Sequence, residues 1–204
     1  MNKTYFVTGI GTEIGKTISS AVLVEKLKAD YWKPIQAGDL DNSDSLKVQN
    51  LISNSVSKFH PEVYRLTQPF SPHYAAELDG VNIDLNKIII PQTINNLIIE
   101  GAGGLMVPIN RKDLMIDLIQ KLSVEVILIS KNYLGSINHT LLSIEALKSR
   151  NINVKGIIFN GVKNEASESI ILERTQLNYL GRIFEIENMN KLAIKSSGDF
   201  LNLE

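Results

Sequence analysis

Three glycines, a lysine and a threonine near the start of the chain are spaced to hold phosphate. They lie in YFVTGIGTEIGKTISSAVLVEKL, residues 5–27. An apolar run ends at Thr8, glycines follow at Gly9, Gly11 and Gly15, and Lys16 and Thr17 open a helix-like pattern. A glycine loop between a strand and a helix turns its backbone N–H groups inward, and the helix N-terminus adds positive potential. Lys16 is then placed to reach the β- and γ-phosphates of a nucleotide, and the Thr17 hydroxyl to ligate Mg²⁺. The usual G-x-x-x-x-G-K-[ST] loop is shorter: here five residues separate Gly9 from Gly15, and Ile10 stands at the first-glycine position. The plain alternative, a chance GKT in a glycine-rich turn, lacks the strand–loop–helix context that this segment has.

A second signal ends a later apolar run, LIIEGAGGLMVP, residues 97–108. Glu100 stands at the carboxyl end of that expected strand, with glycines at 101, 103 and 104. Ligands of open parallel sheets bind at the carboxyl ends of the strands, so Glu100 and the phosphate loop are expected on one rim. There Glu100 can hold Mg²⁺ or its waters; otherwise it is an exposed glutamate before a turn. Asp44, in DNSDSL, begins an expected helix. Alone it reads as an acidic residue favouring the helix dipole, with Asp41 as cap. Beside Thr17 and Glu100 it becomes a second metal carboxylate, because Mg²⁺ takes few protein ligands plus phosphate and water. Lys33, in YWKPIQAG, precedes Pro34, which biases it to extended backbone and aims its side chain off a strand end. A cation there can neutralise charge on a transferring phosphoryl group.

Strand-like and helix-like runs alternate, and they must position these residues. Strands are expected at 5–8, 31–33, 97–99, 124–130, 156–159 and 182–184, and helices at 17–28, 43–52, 114–122, 136–148 and 167–177. Continuous apolar strands alternating with amphipathic helices imply an α/β fold: a mostly parallel sheet with helices on both faces, P-loop NTPase-like, forming a single domain over residues 1–204. Residues 59–91, broken by Pro61, Pro69, Pro72 and Pro91, read as an irregular insertion with short helical pieces, suited to a substrate site or to plain loop packing.

Composition narrows the function. The net charge is −1 and the 21 Lys and Arg form no basic block, so no field favours nucleic acid or an anionic membrane. The absence of cysteine excludes disulfides, thiolate catalysis and Cys-ligated metal. The start, MNKTYFVTGIG, is unlike a signal peptide, and no apolar run approaches the ~20 residues of a membrane span. The expectation is a soluble cytoplasmic protein.

Taken in order, TGIGTEIGKT, KPIQAG, NSDSL, SPH, IEGAGG and LGSINHTLL resemble the dethiobiotin synthetase family over nearly the whole length. The lengthened glycine loop with Glu13 is itself a feature of that family. The resemblance implies an ATP- and Mg²⁺-dependent ligase. Diaminopelargonic acid reacts with CO₂ (or bicarbonate) to a carbamate, ATP phosphorylates the carbamate to a mixed anhydride, and the second amine closes the ureido ring. It implies that Thr12, Glu13, Ile14, Gly15, Lys16 and Thr17 bind ATP, with Thr17, Asp44 and Glu100 at the metal. Lys16 and Lys33 are the implied catalytic pair. Ala37, Ser71, Gly101, Gly103 and Gly104 are implied at the substrate. Asn160 and Gly161, in FNGV, are implied at adenine, although Asn-Gly is also a turn signal. Ser136, Ile137 and Asn138 are implied to receive the substrate's distal carboxylate across a homodimer interface; read alone, Ser136 is an ordinary N-cap. His73 is read as structural.

Two positions depart from the family pattern. Ala37 stands where a serine or threonine is usual, and Phe184 where a proline follows the last strand's isoleucine, which opens the question of base selectivity. The main rival is a regulatory ATPase of the partition or septum-placement kind. Such proteins carry an extra lysine early in the loop, where this chain has Gly11. An amidating ligase of corrinoid synthesis would need a cysteine-bearing glutaminase domain. A nucleotide-binding module without catalysis fits poorly with the retained Lys16, Lys33, Asp44 and Glu100.

Overall fold

The computed structural model describes residues 2–203. Its central sheet grows from β1 (Thr4–Gly9), whose Val7 is fully buried among Ile127, Leu128 and Ile129 of β7 (Glu125–Lys131). Each such side chain removed from water stabilises the fold by ~1.5–3 kcal/mol, which is why these runs carry no polar alternation. On the other side of β1 lies β6 (Leu97–Gly104), then β2 (Asp30–Trp32) and the short edge strand β4 (Phe59–His60). Beyond β7 come β8 (Val154–Asn160) and β9 (Tyr179–Ile183). The order is β4-β2-β6-β1-β7-β8-β9, and every pairing is parallel.

Alternation along the strands serves two cores. Tyr5, Val7 and Ile98 pack with residues of α1 (Lys16–Leu27), α2 (Asp44–Leu51) and α7 (Lys191–Ser197). Phe6, Leu97 and Ile99 pack with residues of α3 (Pro72–Leu78) and α4 (Met115–Leu122). α5 (Ser136–Ser149) packs on α6 (Glu165–Thr175) and gives Ile144 to the first core and Leu147 to the second. Helices on both faces of a parallel sheet are as expected.

Several local expectations are corrected. Strand 97–99 runs on to Gly104, so Glu100 lies within β6 and not at its end. The pairing is regular through Val7 opposite Glu100, then slips so that Gly9 lies opposite Gly104. The insertion holds more order than anticipated: β5 (Tyr64–Leu66) pairs in parallel with β3 (Ile35–Ala37), and α3 follows with Pro72 in its first turn. The cap of α2 is Ser43, whose hydroxyl accepts from the Leu46 N–H, while Asp41 belongs to a preceding 3₁₀ turn. The cap of α5 is Gly135 at φ 101°, a left-handed geometry that serine resists, so Ser136 is the first helical residue. α6 starts two residues early, at Glu165, because Asn164 caps it through the Ser167 N–H.

Candidate active site

The chain crosses from one half of the sheet to the other around β1 and β6, and the loops after β1, β2 and β6 meet at that switch point. The glycine loop bridges β1 and α1 there. Gly15 sits at φ +92°, and a Cβ on it would fall 2.1 Å from Asn160 Nδ2. Two constraints thus require glycine at this position. Asn160, at the end of β8, donates from Nδ2 to the Ile14 carbonyl at 2.9 Å and fastens the loop. The Ile14 side chain is buried in the core against Gly9, so Ile14 offers only its backbone to a ligand. The Lys16 ammonium donates to the Gly11 carbonyl at 2.8 Å, folded back under the loop.

Next to the loop lies a buried ring of charge. Lys33 Nζ sits 2.6 Å from Asp44 Oδ2 and 3.1 Å from Glu100 Oε1. The Thr17 hydroxyl donates to Glu100 Oε1 at 3.0 Å, and the Tyr31 phenol to Glu100 Oε2 at 3.0 Å. Register explains the encounter: Tyr31 pairs with Ile98 and Trp32 with Ile99, so the next step brings Lys33 beside Glu100. Gln36 steadies the ring, accepting the Asp44 N–H at 3.3 Å and donating to the Gly38 carbonyl at 2.9 Å.

The electrostatics divide the two lysines. Burial pulls the Lys33 pKa down, but Glu100 and Asp44 outweigh it and hold the ammonium above its ordinary value. Asp44 also suffers burial, yet Lys33, Lys47 and the Thr17 hydroxyl keep its carboxyl below the usual range. Tyr31 is pushed well up by burial and by Glu100. Lys16 has no such close counter-charge: burial lowers it to about 8, with Glu100 opposing and Lys33 adding to the fall. An approaching triphosphate supplies the missing charge. Nucleotide binding at pH 8 should therefore take up about half a proton, more as pH rises toward 9, since Lys16 is half-charged beforehand. Calorimetry in buffers of different ionisation enthalpy reads this directly. Lys16→Met should abolish the uptake.

Thr12, Glu13, Gly15, Lys16, Thr17, Lys33, Asp44 and Glu100 line one cavity of about 770 Å³. Ala37, Ser71, Ala102 and Gly103 line the same cavity. The Ser71 hydroxyl is 3.0 Å from His73 Nδ1, so the histidine read as structural holds a cavity residue. Gly101 and Gly104 do not line the cavity. A Cβ on Gly101 would strike Phe6 at 2.8 Å, and Gly104 packs against Gly9 and Gly11. Ile137 and Asn138 line a different cavity of about 840 Å³, together with Gly135, while Ser136 is buried beside it. Asn160 and Gly161 line a third, of about 230 Å³.

Tyr31 and Gln36 escaped the sequence reading. A tyrosine in an apolar strand looks like core, and nothing in KPIQAG marks the glutamine as a brace. Mg²⁺ fits the donors present: Thr17, Asp44 and Glu100 offer hard oxygens, and phosphate and water would complete the shell. Among the described residues no group of three or more histidine, aspartate or glutamate side chains is placed to hold a metal ion by itself.

A phosphate loop at the switch point of a parallel sheet defines a P-loop nucleotide-dependent protein. A protein-family model described as an AAA domain matches residues 3–192. The ATP-dependent dethiobiotin synthetase BioD of Christiangramia forsetii is 54% identical over 96% of this chain and 94% of its own length. That of Cytophaga hutchinsonii is 52% identical over 94% and 93%, and that of Bradyrhizobium diazoefficiens 43% over the full length of both. The chain belongs to the ATP-dependent dethiobiotin synthetase family. Solved structures share the fold alone: a ParA family ATPase from Chlorobium tepidum superposes with a TM-score of 0.62 at 11% identity, covering 98% of this chain and 100% of that one. The septum site-determining protein MinD of Pyrococcus horikoshii gives 0.59 at 12%, covering 98% and 95%. The regulatory-ATPase rival therefore shares the architecture and not the sequence.

Proposed function

We propose that this chain, as one P-loop ligase domain, closes the ureido ring of dethiobiotin from diaminopelargonic acid, CO₂ and ATP, and that Lys16 and Lys33 are its catalytic residues. What carries the reading is the convergence of Lys16, Thr17, Lys33, Asp44 and Glu100 on one cavity large enough for a triphosphate end and a small diamine. One amine adds to CO₂ and loses a proton, giving a carbamate. A carbamate oxygen displaces ADP from the γ-phosphorus. The second amine then attacks the carbonyl carbon and phosphate leaves as the ring closes.

The loop N–H groups and Lys16 hold the phosphate chain. Lys33, kept charged by its carboxylates, faces the negative charge shared by carbamate oxygen and transferring phosphoryl, where fixed charge counts most. Thr17, Asp44 and Glu100 would hold Mg²⁺, which supplies charge neutralisation across the phosphates when bound. Ser71, which lines the same cavity as Lys33, is assigned to the diamine, and orientation of its second amine favours ring closure. Adenine is assigned to Asn160 and Gly161.

The distal carboxylate of the diamine is assigned to the start of α5, residues 136–138, supplied by the second copy in a homodimer, because Ile137 and Asn138 line a cavity apart from Lys33. The place of action is assigned to the cytoplasm; no helix among the described residues is long and apolar enough to cross a membrane. The test is phosphate release with ATP, Mg²⁺, bicarbonate and diaminopelargonic acid, leaving out each in turn. Release that needs the diamine is expected. Release indifferent to the diamine would overturn the assignment.

A further inference from the structure

The third cavity is walled in part by the ring of Phe184, which is 48% exposed. Ile18 lines both this cavity and the one that holds Lys16 and Lys33, so the two adjoin along the first turn of α1. A nucleotide with its phosphates at Lys16 and Thr17 has its base within reach on this side. The ring does not hang free. Phe200 meets it edge-on, with centroids 5.1 Å apart and planes at 80°. The Arg182 guanidinium lies over it, 5.8 Å from the centroid, and 5.9 Å from that of Phe159.

Arg182 is itself fixed on every side. It is buried at 3% exposure, pairs with Glu168, and donates from Nη1 to the Gly161 carbonyl at 2.9 Å. Glu168 in turn accepts from Asn132 Nδ2 at 2.6 Å and from the Asn164 N–H at 2.9 Å. One planar guanidinium thus sets both the Phe184 ring and the Gly161 backbone, two walls of one small cavity. Arginine suits this because its fork hydrogen-bonds in plane while its face stacks on aromatic rings.

We propose that Phe184 is a stacking face for the nucleobase and that Arg182 is the residue that positions it. The proposal rests on the reading that the base lies against Asn160 and Gly161. It makes this chain's preference for a base over bare phosphate depend on ring overlap, which every base offers and purines offer most.

The experiment measures equilibrium binding of ATP and of inorganic tripolyphosphate, both with Mg²⁺, to the full chain. Phe184→Ala should weaken ATP about tenfold, in the range of one base–aromatic stack, with tripolyphosphate held as before. Phe184→Tyr should restore the preference. Arg182→Lys keeps the charge and loses the fork; it should lower the same ratio and raise KM for ATP more than it lowers kcat. An unchanged ratio in Phe184→Ala overturns the stacking face, and an unchanged ratio in Arg182→Lys with a lowered melting point makes the arginine merely structural. Asn160→Ala separates the two layers. If it erodes the ATP preference while Phe184→Ala does not, only the stacking face is wrong; if neither erodes it, the base lies elsewhere.

Discussion

Lys33→Met should lower kcat for ring closure by about 10²–10³-fold, the usual cost of removing one fixed charge or donor from a transition state. KM for ATP should move little, because the loop N–H groups and Lys16 carry the ground-state phosphates. The effect follows from how the residue is held. Lys33 is 4% exposed, and its ammonium is clamped between Asp44 and Glu100. A lysine buried to that degree without partners would shed its proton; here the carboxylates hold its pKa up. The charge is therefore present at every working pH and already oriented, so no reorganisation accompanies phosphoryl transfer.

A purely structural Lys33, there only to neutralise its neighbours, gives a different outcome. Methionine would leave Asp44 and Glu100 facing each other and lower the melting point while the surviving folded fraction kept its turnover. Steady-state phosphate release, normalised to folded protein, separates the two. A kcat within a few-fold of wild type would remove Lys33 from the catalytic set.

The two halves of this site differ in how far the sequence exposes them. The phosphate loop is local: Gly15, Lys16 and Thr17 are adjacent, and their order alone declares their use. The charge ring is not. Lys33 and Glu100 meet because β2 and β6 pair in one register, Tyr31 opposite Ile98, and register between strands so far apart is set by packing. EGAGG marked Glu100 as unusual, but its three donors could be read only from coordinates. Phe184 illustrates the converse. Its departure from the family pattern was visible in GRIFEIEN, whereas Arg182 beneath it, buried against Glu168, was not.

Long apolar strands such as β7 and β8 are legible because buried parallel strands need uninterrupted apolar residues. β3 and β5 are three residues each, too short to carry a period, and Pro34 next to β3 and Pro61 three positions before β5 argue for loop. α7 was missed for a similar reason: KLAIKSS has few apolar positions and buries chiefly Ile194. The cap of α5 went to Gly135 because the chain enters that helix through left-handed backbone, a property of the turn and not of Ser136.

Glu100→Gln should cost the folded state about 3 kcal/mol, the lower part of the range for breaking a buried ion pair, because Asp44 remains to hold Lys33. Glutamine can keep one oxygen toward Thr17 and Lys33 and turn its amide to Tyr31, so shape survives and charge is lost. Linkage sets the pH window. Lys33, with its pKa raised in the folded state, contributes stability below 10.5 and loses it as pH climbs through the folded value. Asp44, with its pKa lowered, contributes above 3.8 and loses it as pH falls. Neither titrates between these limits, so their share of the difference between wild type and variant should stay nearly flat from pH 5 to 7. Lys16 has the opposite sign. Its depressed pKa makes the ligand-free protein gain stability as pH rises from about 8 toward 10.5, and the variant, lacking the Glu100 charge that opposes this depression, should begin that gain at lower pH. Urea unfolding across this range, with m unchanged, is the measurement. A loss below about 1 kcal/mol would mean that Asp44 alone neutralises Lys33, and that Glu100 is held in the core for the metal instead of the lysine.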